Sequence, residues 1–415
     1  MDKRRVVITG LGAITPLGKT VQDYWDGLLN GVSATGPITR FDAEKFKTRF
    51  ACEVKGYDPK DYFERKELRK YDMVSQFGII SANMAIEDSG LNLETDDTDR
   101  IGVIWASGIG GLITFFDEIS SYAKGDGTPR FSPFFIPKMI ADITAGHISM
   151  LNGLKGPNYA TVSACASSAN AIADAAMMIR HGYADVMVAG GSEAAINEGG
   201  MGGFNSMQAI STRNDDYATA SRPFDKDRDG FVMGEGGGGL ILEEYEKAKA
   251  RGAKIYAEVA GFGLTADAHH LTAPHPEGEG AQKAMKIAMK DAGLELTEID
   301  HINTHGTATP VGDVAEINAI GKVFGDHAYN LSINSTKSMH GHLLGAAGAI
   351  ESIAVILALT KNVVPPTINH FTDDPEIDPK LDLTFHKAKE REVRAAISNT
   401  FGFGGHNVSL ILKQV

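Results

Sequence analysis

Cysteine is scarce in this sequence, since only Cys52 and Cys165 occur among 415 residues. Two thiols cannot build the disulfide framework of a secreted domain, and their scarcity fits a reducing compartment. The amino-terminal segment "MDKRRVVITG" contains an apolar run that is too short for a secretory signal. We therefore expect a cytoplasmic protein in which any thiol chemistry depends on one of these two residues.

Basic residues are outnumbered, with 40 lysines and arginines against 53 aspartates and glutamates, which gives a net charge of −13. This balance argues against a nucleic-acid partner, because such proteins present a basic surface. An acidic protein partner must instead dock on a local basic patch. The segment "RKELRK" offers Arg65, Lys66, Arg69 and Lys70, which a helix would present as one ridge of four cations.

Long hydrophobic runs are also few, and the most apolar one is Leu343–Leu359. This run is shorter than a membrane span and contains Glu351 and Ser352. It predicts a buried core helix, and we expect no membrane partner.

Apolar β-type segments alternate with helical segments along the whole chain, which predicts an α/β protein with covered sheets. A short strand at Val6–Thr9 runs into "GLGAIT", and a second at Lys254–Ala260 runs into "GFGLTADA". The two openings look like one unit used twice. We therefore divide the chain into halves, 1–250 and 251–415, with insertions in the first half.

Cys165 lies in "TVSACASSAN", between a β-type run and an apolar helical segment. A lone cysteine is often a small core residue. A sharp strand-to-helix junction, however, exposes a nucleophile, and a helix N-terminus lowers the pKa of a thiol. The junction therefore favours a nucleophilic Cys165.

Two further predicted strand ends carry histidine: "NTHGTATPVGD" contains His305, and "NSTKSMHGHLLGAAG" contains Lys337 and His342. Carboxyl ends of strands line the ligand crevice in layered α/β folds, so these side chains are expected to converge on Cys165. Standard zinc-binding spacings do not occur in the sequence, and we expect no catalytic metal.

The segments "ACASSA", "RPFDKDRDGFVMGEG", "THGTATPVGD", "KSMHGHLLGAAG" and "NTFGFGGHN" together resemble the β-ketoacyl-acyl carrier protein synthases, over essentially the whole chain. Within that family the Cys165, His305 and His342 set is similar to the elongating, Cys-His-His type. The resemblance implies a duplicated thiolase-like fold with five αβαβα layers and mixed sheets, usually in a homodimer.

The resemblance also implies an acyltransferase of fatty acid synthesis. Its reaction is a decarboxylating Claisen condensation of an acyl group on Cys165 with malonyl-acyl carrier protein. Acyl carrier protein is then the partner, and no separate cofactor is expected, because both acyl groups arrive on its phosphopantetheine arm. His305 and His342 would donate to the enolate, with Lys337 orienting the site.

Further roles follow from the same resemblance, residue by residue. Backbone N–H groups of Cys165 and Phe403 form the oxyanion hole, and Phe403 is also the gate of a mobile "GFGG" loop. The remaining implied sets are an acyl pocket (Ile109, Phe401, and Phe135 reaching in from the dimer partner), pantetheine contacts (Thr272, Thr307, Thr309), carrier docking (Arg213 with the "RKELRK" cations) and a monovalent-cation setting (Asn303, Glu351, Ser398, Asn399).

Some residues depart from the family pattern. His340 stands where a small polar residue is more usual, His406 replaces a frequent Thr, and Gln208 stands where relatives often have Arg, which weakens carrier docking at that position.

Three other functions stay open. A polyketide ketosynthase uses the same motifs, although a free-standing single chain favours fatty acid synthesis. A non-catalytic chain-length partner lacks the nucleophile that Cys165 provides. A thiolase needs a second catalytic cysteine, and Cys52 lies outside every matching motif.

Overall fold

The computed structural model describes residues 4–415, which form α/β layers around a central sheet. The strands within these residues are β1 (Val6–Ile14), β2 (Gly36–Pro37), β3 (Phe50–Ala51), β4 (Ile101–Ala106), β5 (Asn158–Tyr159), β6 (Val186–Glu193), β7 (Gly236–Glu244), β8 (Ala257–Ala266), β9 (His301–Asn303), β10 (Ser332–Asn334), β11 (Val363–Val364), β12 (Lys389–Glu390), β13 (Ala395–Gly402) and β14 (His406–Lys413).

The α-helices of the described residues are α1 (Val21–Leu29), α2 (Arg65–Leu68), α3 (Met73–Ser89), α4 (Leu112–Lys124), α5 (Phe135–Met139), α6 (Ile143–Asn152), α7 (Ser167–Arg180), α8 (Glu198–Ser206), α9 (Tyr245–Ala250), α10 (Glu279–Ala292), α11 (Pro310–Phe324), α12 (Lys337–His340) and α13 (Ala347–Lys361). Short 3₁₀ turns at Ala164–Ala166 and Leu344–Ala346 lead directly into α7 and α13.

The sheet shows the predicted duplication in its strand order. Ten strands lie in the order β10-β9-β13-β14-β8-β1-β7-β6-β4-β5. Read from each edge inwards, both halves have two parallel pairings followed by two antiparallel pairings. A short antiparallel ladder, Val7 with Glu258 and Ile8 with Ala257, joins the halves into one continuous mixed sheet. The chain boundary at residue 250 stays a prediction.

Helices cover both faces of each half of the sheet, which gives the five predicted layers. Helices α7 and α13 pack against each other and against strands of both halves, and they form the apolar centre. Helices α3 and α6 pack on the outside of the first half, and α10 and α11 on the outside of the second. Helix α13, with its 3₁₀ turn, is apolar enough to span a membrane, yet 89% of this 18-residue segment is buried inside the protein.

Strand β1 extends to Ile14, five residues beyond the predicted end at Thr9. Glycine in this strand does not end it but lets a helix approach. A Cβ atom on Gly10 would lie 2.1 Å from the Ala85 carbonyl oxygen of α3. In the second half, a Cβ on Gly263 of β8 would lie 1.9 Å from the Ala284 carbonyl oxygen of α10. The two glycine-containing openings therefore serve the same packing purpose.

Two other segments differ from prediction. The strand expected in "NYATVSA" is only Asn158–Tyr159, because the Thr161 hydroxyl donates to the Ser167 carbonyl and the Ser163 N–H donates to the Ser167 hydroxyl. The "RKELRK" helix is one turn long and ends at Leu68. The predicted four-cation helical ridge is therefore wrong, since the last two cations lie beyond the helix.

Candidate active site

Cys165 lies in the tight turn that leads into helix α7. The preceding residue, Ala164, has φ of 52°, a left-handed conformation that bends the chain sharply into the helix. The "GFGG" segment packs directly on this turn, because a Cβ on Gly402 would lie 2.8 Å from the Ser163 carbonyl oxygen. The Cys165 side chain is 7% exposed and faces a cavity.

His342 comes from the other half of the chain, and its Nε2 lies 3.0 Å from Cys165 Sγ. Its backbone is held on both sides, since the His342 N–H donates to the Val232 carbonyl at 2.7 Å and the Gly234 N–H donates to the His342 carbonyl at 2.9 Å. The ring also packs edge-on against Phe231. The imidazole is thus fixed against the sulfur by its neighbours.

His305 completes the group in the loop after β9. Its ring centroid lies 5.3 Å from that of His342, in an edge-to-face arrangement. The loop is held by the Glu316 carboxylate of α11, which accepts the N–H groups of His305 and Gly306 at 2.9 Å each. One ligand-type atom each of Cys165, His305 and His342 lies within 4.8 Å of the other two.

The cavity above these three residues has a volume of about 430 Å³. Apolar and small residues line most of it, together with nearly all of the predicted pocket and pantetheine residues: Ile109, Thr272, Thr307, Thr309, Phe401 and Phe403. Gln208 also lines it. Phe135 does not line the cavity of its own chain; it begins α5 and stacks on Phe131 and Phe115. Its predicted role concerns a partner chain and stays a prediction.

The thiol is less acidic in the structure than its position at a helix N-terminus predicts. Burial raises the pKa of Cys165 to about 12, whereas Lys337 and the backbone N–H groups of Phe403 and Cys165 act in the opposite direction. The expected lowering of the Cys165 pKa is therefore wrong for the free site. Desolvation of a fully buried thiolate outweighs the helix terminus. The resting nucleophile is a thiol.

Both histidines are neutral near pH 7. Burial lowers the pKa of His305 and of His342 well below the usual range, and the positive charge of Lys337 lowers both further. A neutral imidazole has one N–H to donate and one bare nitrogen to accept a proton. The pair can therefore serve as donor or acceptor without a metal ion.

Lys337 itself does not line the cavity. It is 1% exposed at the start of α12 and forms a buried ion pair with Glu351 of α13. Its charge reaches the site through space, since it favours the thiolate of Cys165 and disfavours protonation of both histidines. Lys337 is thus placed to tune the site rather than to touch substrate.

The four residues of the predicted cation setting are all buried. Asn303 Oδ1, Glu351 Oε2 and Ser398 Oγ have no hydrogen-bond partner among residues 4–415. Asn399 differs, because its amide nitrogen donates to Glu316 and its amide oxygen accepts from Ser409. Buried oxygens without partners are chemically suited to a cation.

The predicted docking cations do not line the cavity. Arg65, Lys66, Arg69 and Lys70 are all exposed, and Lys66 pairs with Glu64 at 3.0 Å. Arg213 is half-buried, and its guanidinium donates to the Asp227 carbonyl at 2.7 Å. Arg213 is therefore partly committed to holding its own loop.

Two buried carboxylates were missed by sequence reasoning. Glu316 holds the His305 loop, and Glu193 at the end of β6 accepts from the Ser107 hydroxyl and from the N–H groups of Gly108 and Gly345. Burial raises the pKa of each to about 7. The sequence contained one signal for each residue. Glu316 lies on the apolar face of a predicted helix, and Glu193 ends an apolar strand.

A buried thiol beside two neutral imidazoles, in the turn before a central helix of duplicated α/β layers, is the arrangement of a thiol-dependent condensing enzyme with a thiolase-like fold. Family models agree over most of the chain. The model of the β-ketoacyl synthase N-terminal domain matches residues 3–248, and that of the C-terminal domain matches residues 256–371. The chain belongs to the β-ketoacyl synthase family.

Individual relatives are similar over their full length. The chain is 50% identical to 3-oxoacyl-[acyl-carrier-protein] synthase 2 of Synechocystis sp., covering 100% of this chain and 99% of the relative. It is 48% identical to the protein of the same name from Vibrio harveyi, covering 100% of both. Among solved structures, a β-ketoacyl synthase from Burkholderia phymatum has a TM-score of 0.92 at 36% identity, covering 99% of this chain and 100% of that one. The ishigamide ketosynthase/chain length factor has a TM-score of 0.93 at 34% identity, covering 100% of both.

Proposed function

We propose that this protein elongates fatty acyl chains by a decarboxylating Claisen condensation, in which malonyl-acyl carrier protein adds two carbons to an acyl group held on Cys165. One observation carries the proposal above all others: Cys165 Sγ lies 3.0 Å from His342 Nε2 and shares its cavity with His305. The full-length similarity to 3-oxoacyl-[acyl-carrier-protein] synthases supports the same reaction.

Acyl transfer comes first. Cys165 Sγ attacks the thioester carbon of the acyl carrier protein, the new C–S bond forms, and the carrier sulfur leaves. The thiol loses a proton and the departing carrier sulfur gains one, so the step has no net proton change. His342 Nε2, 3.0 Å from Sγ, is placed to carry that proton. The N–H groups of Cys165 and Phe403 receive the developing oxyanion, and one such donor commonly contributes about 3 kcal/mol.

Condensation follows in the same cavity. Malonyl-carrier protein loses CO2, and the electron pair of the broken C–C bond moves into an enolate. His305 then donates an N–H hydrogen bond to the enolate oxygen. His342 donates a second one after its ring proton has moved from Nδ1 to Nε2 by exchange with solvent, because acyl transfer leaves Nε2 without a proton. The enolate carbon attacks the acyl group, the C–S bond to Cys165 breaks, and the released thiolate takes up one proton.

The cavity walls support an assignment of substrate parts. Thr307 Oγ1 and Thr309 Oγ1 lie 3.2 Å apart and share the wall with Thr272, so their hydroxyls can bond the amides of a pantetheine arm. Ile109 and Phe401 lie on the same cavity as Cys165 and are assigned to the acyl pocket, with Phe403 as the gate. The Gly404 and Gly405 φ angles of 87° and 75° suit a movable loop.

The carrier protein is assigned to the exposed cations Arg65, Lys66, Arg69 and Lys70, together with the half-buried Arg213. A solved ketosynthase in complex with its acyl-carrier protein is 34% identical to this chain, which supports a carrier partner of the same kind.

Both acyl groups arrive on the carrier, so no separate cofactor is assigned. A monovalent cation is assigned to the unpartnered oxygens of Asn303, Glu351 and Ser398, with Asn399 beside them.

A homodimer is part of the proposal. Large apolar side chains are more than a third exposed on helices α4, α5 and α6, in the segments that connect these helices and in the segment that leads to Cys165: Phe115, Ile119, Tyr122, Phe131, Ile136, Ile140, Met150, Leu151 and Val162. Such patches are typical of subunit interfaces. The assignment to a cytoplasmic location rests on cysteine usage and on the soluble carrier substrate.

A polyketide ketosynthase is the second candidate, because structurally similar chains include type II polyketide ketosynthases at 34% identity. The 50% identity to a fatty-acid-type synthase favours elongation. A thiolase is disfavoured because Cys52 is fully buried against Phe50, Ala34 and Val232, outside the cavity wall.

Purified protein, saturated acyl-carrier protein and malonyl-carrier protein test the proposal together. We expect mass spectrometry to find the acyl group on Cys165, and then 3-oxoacyl-carrier protein extended by two carbons after malonyl-carrier protein is added. Repeating the assay with acyl groups of increasing length defines the preferred substrate. Absence of both acyl-enzyme and product from protein that is folded and dimeric would contradict the proposal. Activity only after addition of a second, chain-length subunit would favour the polyketide function.

A further inference from the structure

The catalytic side chains also have the composition and spacing of a metal site. One sulfur and two imidazole nitrogens, from Cys165, His305 and His342, lie within 4.8 Å of one another. We propose that these three side chains form an inhibitory binding site for a thiophilic divalent cation of the zinc class, which blocks the enzyme reversibly by occupying the nucleophilic sulfur. This inference goes beyond the condensation reaction and does not depend on which acyl chain is used.

The geometry fits a tetrahedral ion after small movements. Zinc binds sulfur at about 2.3 Å and imidazole nitrogen at about 2.0–2.1 Å, which places tetrahedral ligand atoms about 3.4–3.6 Å apart. When the ion binds, the 3.0 Å distance between Cys165 Sγ and His342 Nε2 therefore lengthens slightly. Ligand atoms that lie as far as 4.8 Å apart move closer together by about 1 Å. The fourth position faces the cavity, so water or an anion can complete the shell.

Ligand chemistry selects the class of ion. A thiolate and two neutral imidazoles suit zinc and its neighbours, whereas magnesium and calcium require oxygen ligands. Each imidazole can offer a bare ring nitrogen, and Cys165 must lose its proton to offer a thiolate. Binding therefore exchanges the S–H bond for an S–metal bond and releases one proton to solvent, with no change in oxidation state.

Other features make this an inhibitory site rather than one for a resident metal. Ligating histidines usually donate their second ring N–H to a fixed partner. His305 Nδ1 and His342 Nδ1 have no such partner among residues 4–415. The positive charge of Lys337 also acts on all three side chains and opposes a cation. The ion is thus bound by side chains that are positioned for the reaction. The hydrogen-bond partners that orient the ligands of a permanent metal site are not present among residues 4–415.

Cobalt(II) provides a direct probe, because its thiolate complexes absorb through sulfur-to-metal charge transfer. We expect Co²⁺ to give this absorption with the wild-type dimer, to release one proton per site, and to be displaced by Zn²⁺. Cys165→Ala should abolish the absorption, and His342→Ala should weaken binding about ten-fold or more, as expected when one of three protein ligands is lost. Cys52→Ala is the matched thiol control and should retain it. His269→Ala controls for a second histidine pair, the exposed His269 and the half-buried His275, whose ring centroids lie 5.1 Å apart.

Alkylation of Cys165 by iodoacetamide provides a second readout that needs no carrier protein. Saturating Zn²⁺ should slow alkylation about ten-fold or more, because the sulfur lone pair is occupied, and EDTA should restore the rate. The inference is overturned if Co²⁺ binds Cys165→Ala as tightly as wild type, or if Zn²⁺ leaves the alkylation rate unchanged. Neither result bears on condensation, so failure here is distinguishable from failure of the proposed function.

Discussion

The two halves of this protein repeat one frame but place different chemistry in it. In each half a 3₁₀ turn with a left-handed residue leads into a central helix: Ala164, with φ of 52°, precedes α7, and Leu344, with φ of 47°, precedes α13. The middle residue of the first turn is Cys165, and that of the second is Gly345. A Cβ on Gly345 would lie 2.1 Å from the Gly108 nitrogen, so the second turn cannot carry a functional side chain. The duplicated frame supplies two equivalent positions, and only one is open for a nucleophile.

Buried carboxylates extend the comparison. Glu193 holds the Ser107–Ile109 loop of the first half, and Glu316 holds the His305 loop of the second. Both loops line the cavity beside Cys165, the first with Ile109 and the second with His305. The proposed function assigns the first loop to substrate fit and the second to chemistry.

Replacing the two carboxylates by glutamine tests this division most strongly. Each glutamine presents an N–H where the loop needs an acceptor. We expect Glu316→Gln to lower decarboxylation of malonyl-carrier protein about 100-fold, because a displacement of about 1 Å at His305 has an effect of that size. Glu193→Gln should mainly raise the KM for long acyl-carrier proteins. Equal effects of both variants on decarboxylation would contradict the division.

Buried histidines make the second half sensitive to acid. Burial lowers the pKa of His301 to about 4 and that of His340 to about 3, whereas an unfolded histidine has a pKa of about 6.5. As pH falls through 6.5, both histidines take up protons in the unfolded state but stay neutral in the folded state. Protonation therefore stabilises the unfolded state, and the free energy of unfolding falls on acidification. Buried glutamates with a raised pKa, such as Glu193, have the opposite effect on the pH dependence of stability. The contribution of one histidine must therefore be measured by replacing that residue alone.

His340→Thr isolates one ring. Between pH 7 and pH 5 the loss of unfolding free energy should be about 2 kcal/mol smaller for this variant than for the wild type. Chemical denaturation at both pH values and at one protein concentration provides the measurement. His406→Thr, at an exposed position, is the control and should change the pH dependence much less. An unchanged pH dependence in His340→Thr would mean that its burial does not hold in solution.

We expect the side-chain volume at Ile109, in the first half of the chain, to limit the length of the acyl group that the pocket accepts. Ile109 is 40% exposed and lines the cavity beside Cys165. Ile109→Phe is expected to lower kcat/KM for long acyl primers about ten-fold while sparing short ones, because overfilling a packed pocket commonly costs about 1–3 kcal/mol. Ile109→Leu is the size-matched control. Equal losses at every chain length would remove Ile109 from the pocket.

The smallest effect is expected at the carrier surface. Reversing Lys66 and Arg69 to Glu should raise the KM for the carrier substrate about three-fold and weaken its salt dependence, because exposed charges steer association and are screened. Reversing Lys283 and Lys286, exposed on α10 in the second half, is the matched control. Similar changes in both double variants would place docking elsewhere.

Periodicity and motif order were enough to predict the layered fold, the repeat and the meeting of Cys165, His305 and His342. They did not predict how far β1 extends, because Gly10 reads as an end signal until helix α3 is seen packed against it. They also predicted a lowered pKa for the Cys165 thiol, which is wrong. A helix N-terminus is visible in a sequence, whereas the burial that raises the pKa of Cys165 depends on the cavity formed by both halves. Glu193 and Glu316 were missed because their partners are backbone N–H groups of distant loops.

Malonyl-carrier protein alone, without an acyl primer, provides the most direct test of the division between nucleophile and imidazoles. Cys165→Ala removes the attachment point but leaves both enolate donors, so it should still release CO2 while condensation falls to background. His305→Ala and His342→Ala should each lower CO2 release, because one donor to the developing enolate is lost. The measurement is CO2 or acetyl-carrier protein formed by folded, dimeric variants. If Cys165→Ala releases none while the histidine variants retain wild-type rates, the assignment of the nucleophile to one half and decarboxylation to the other is wrong.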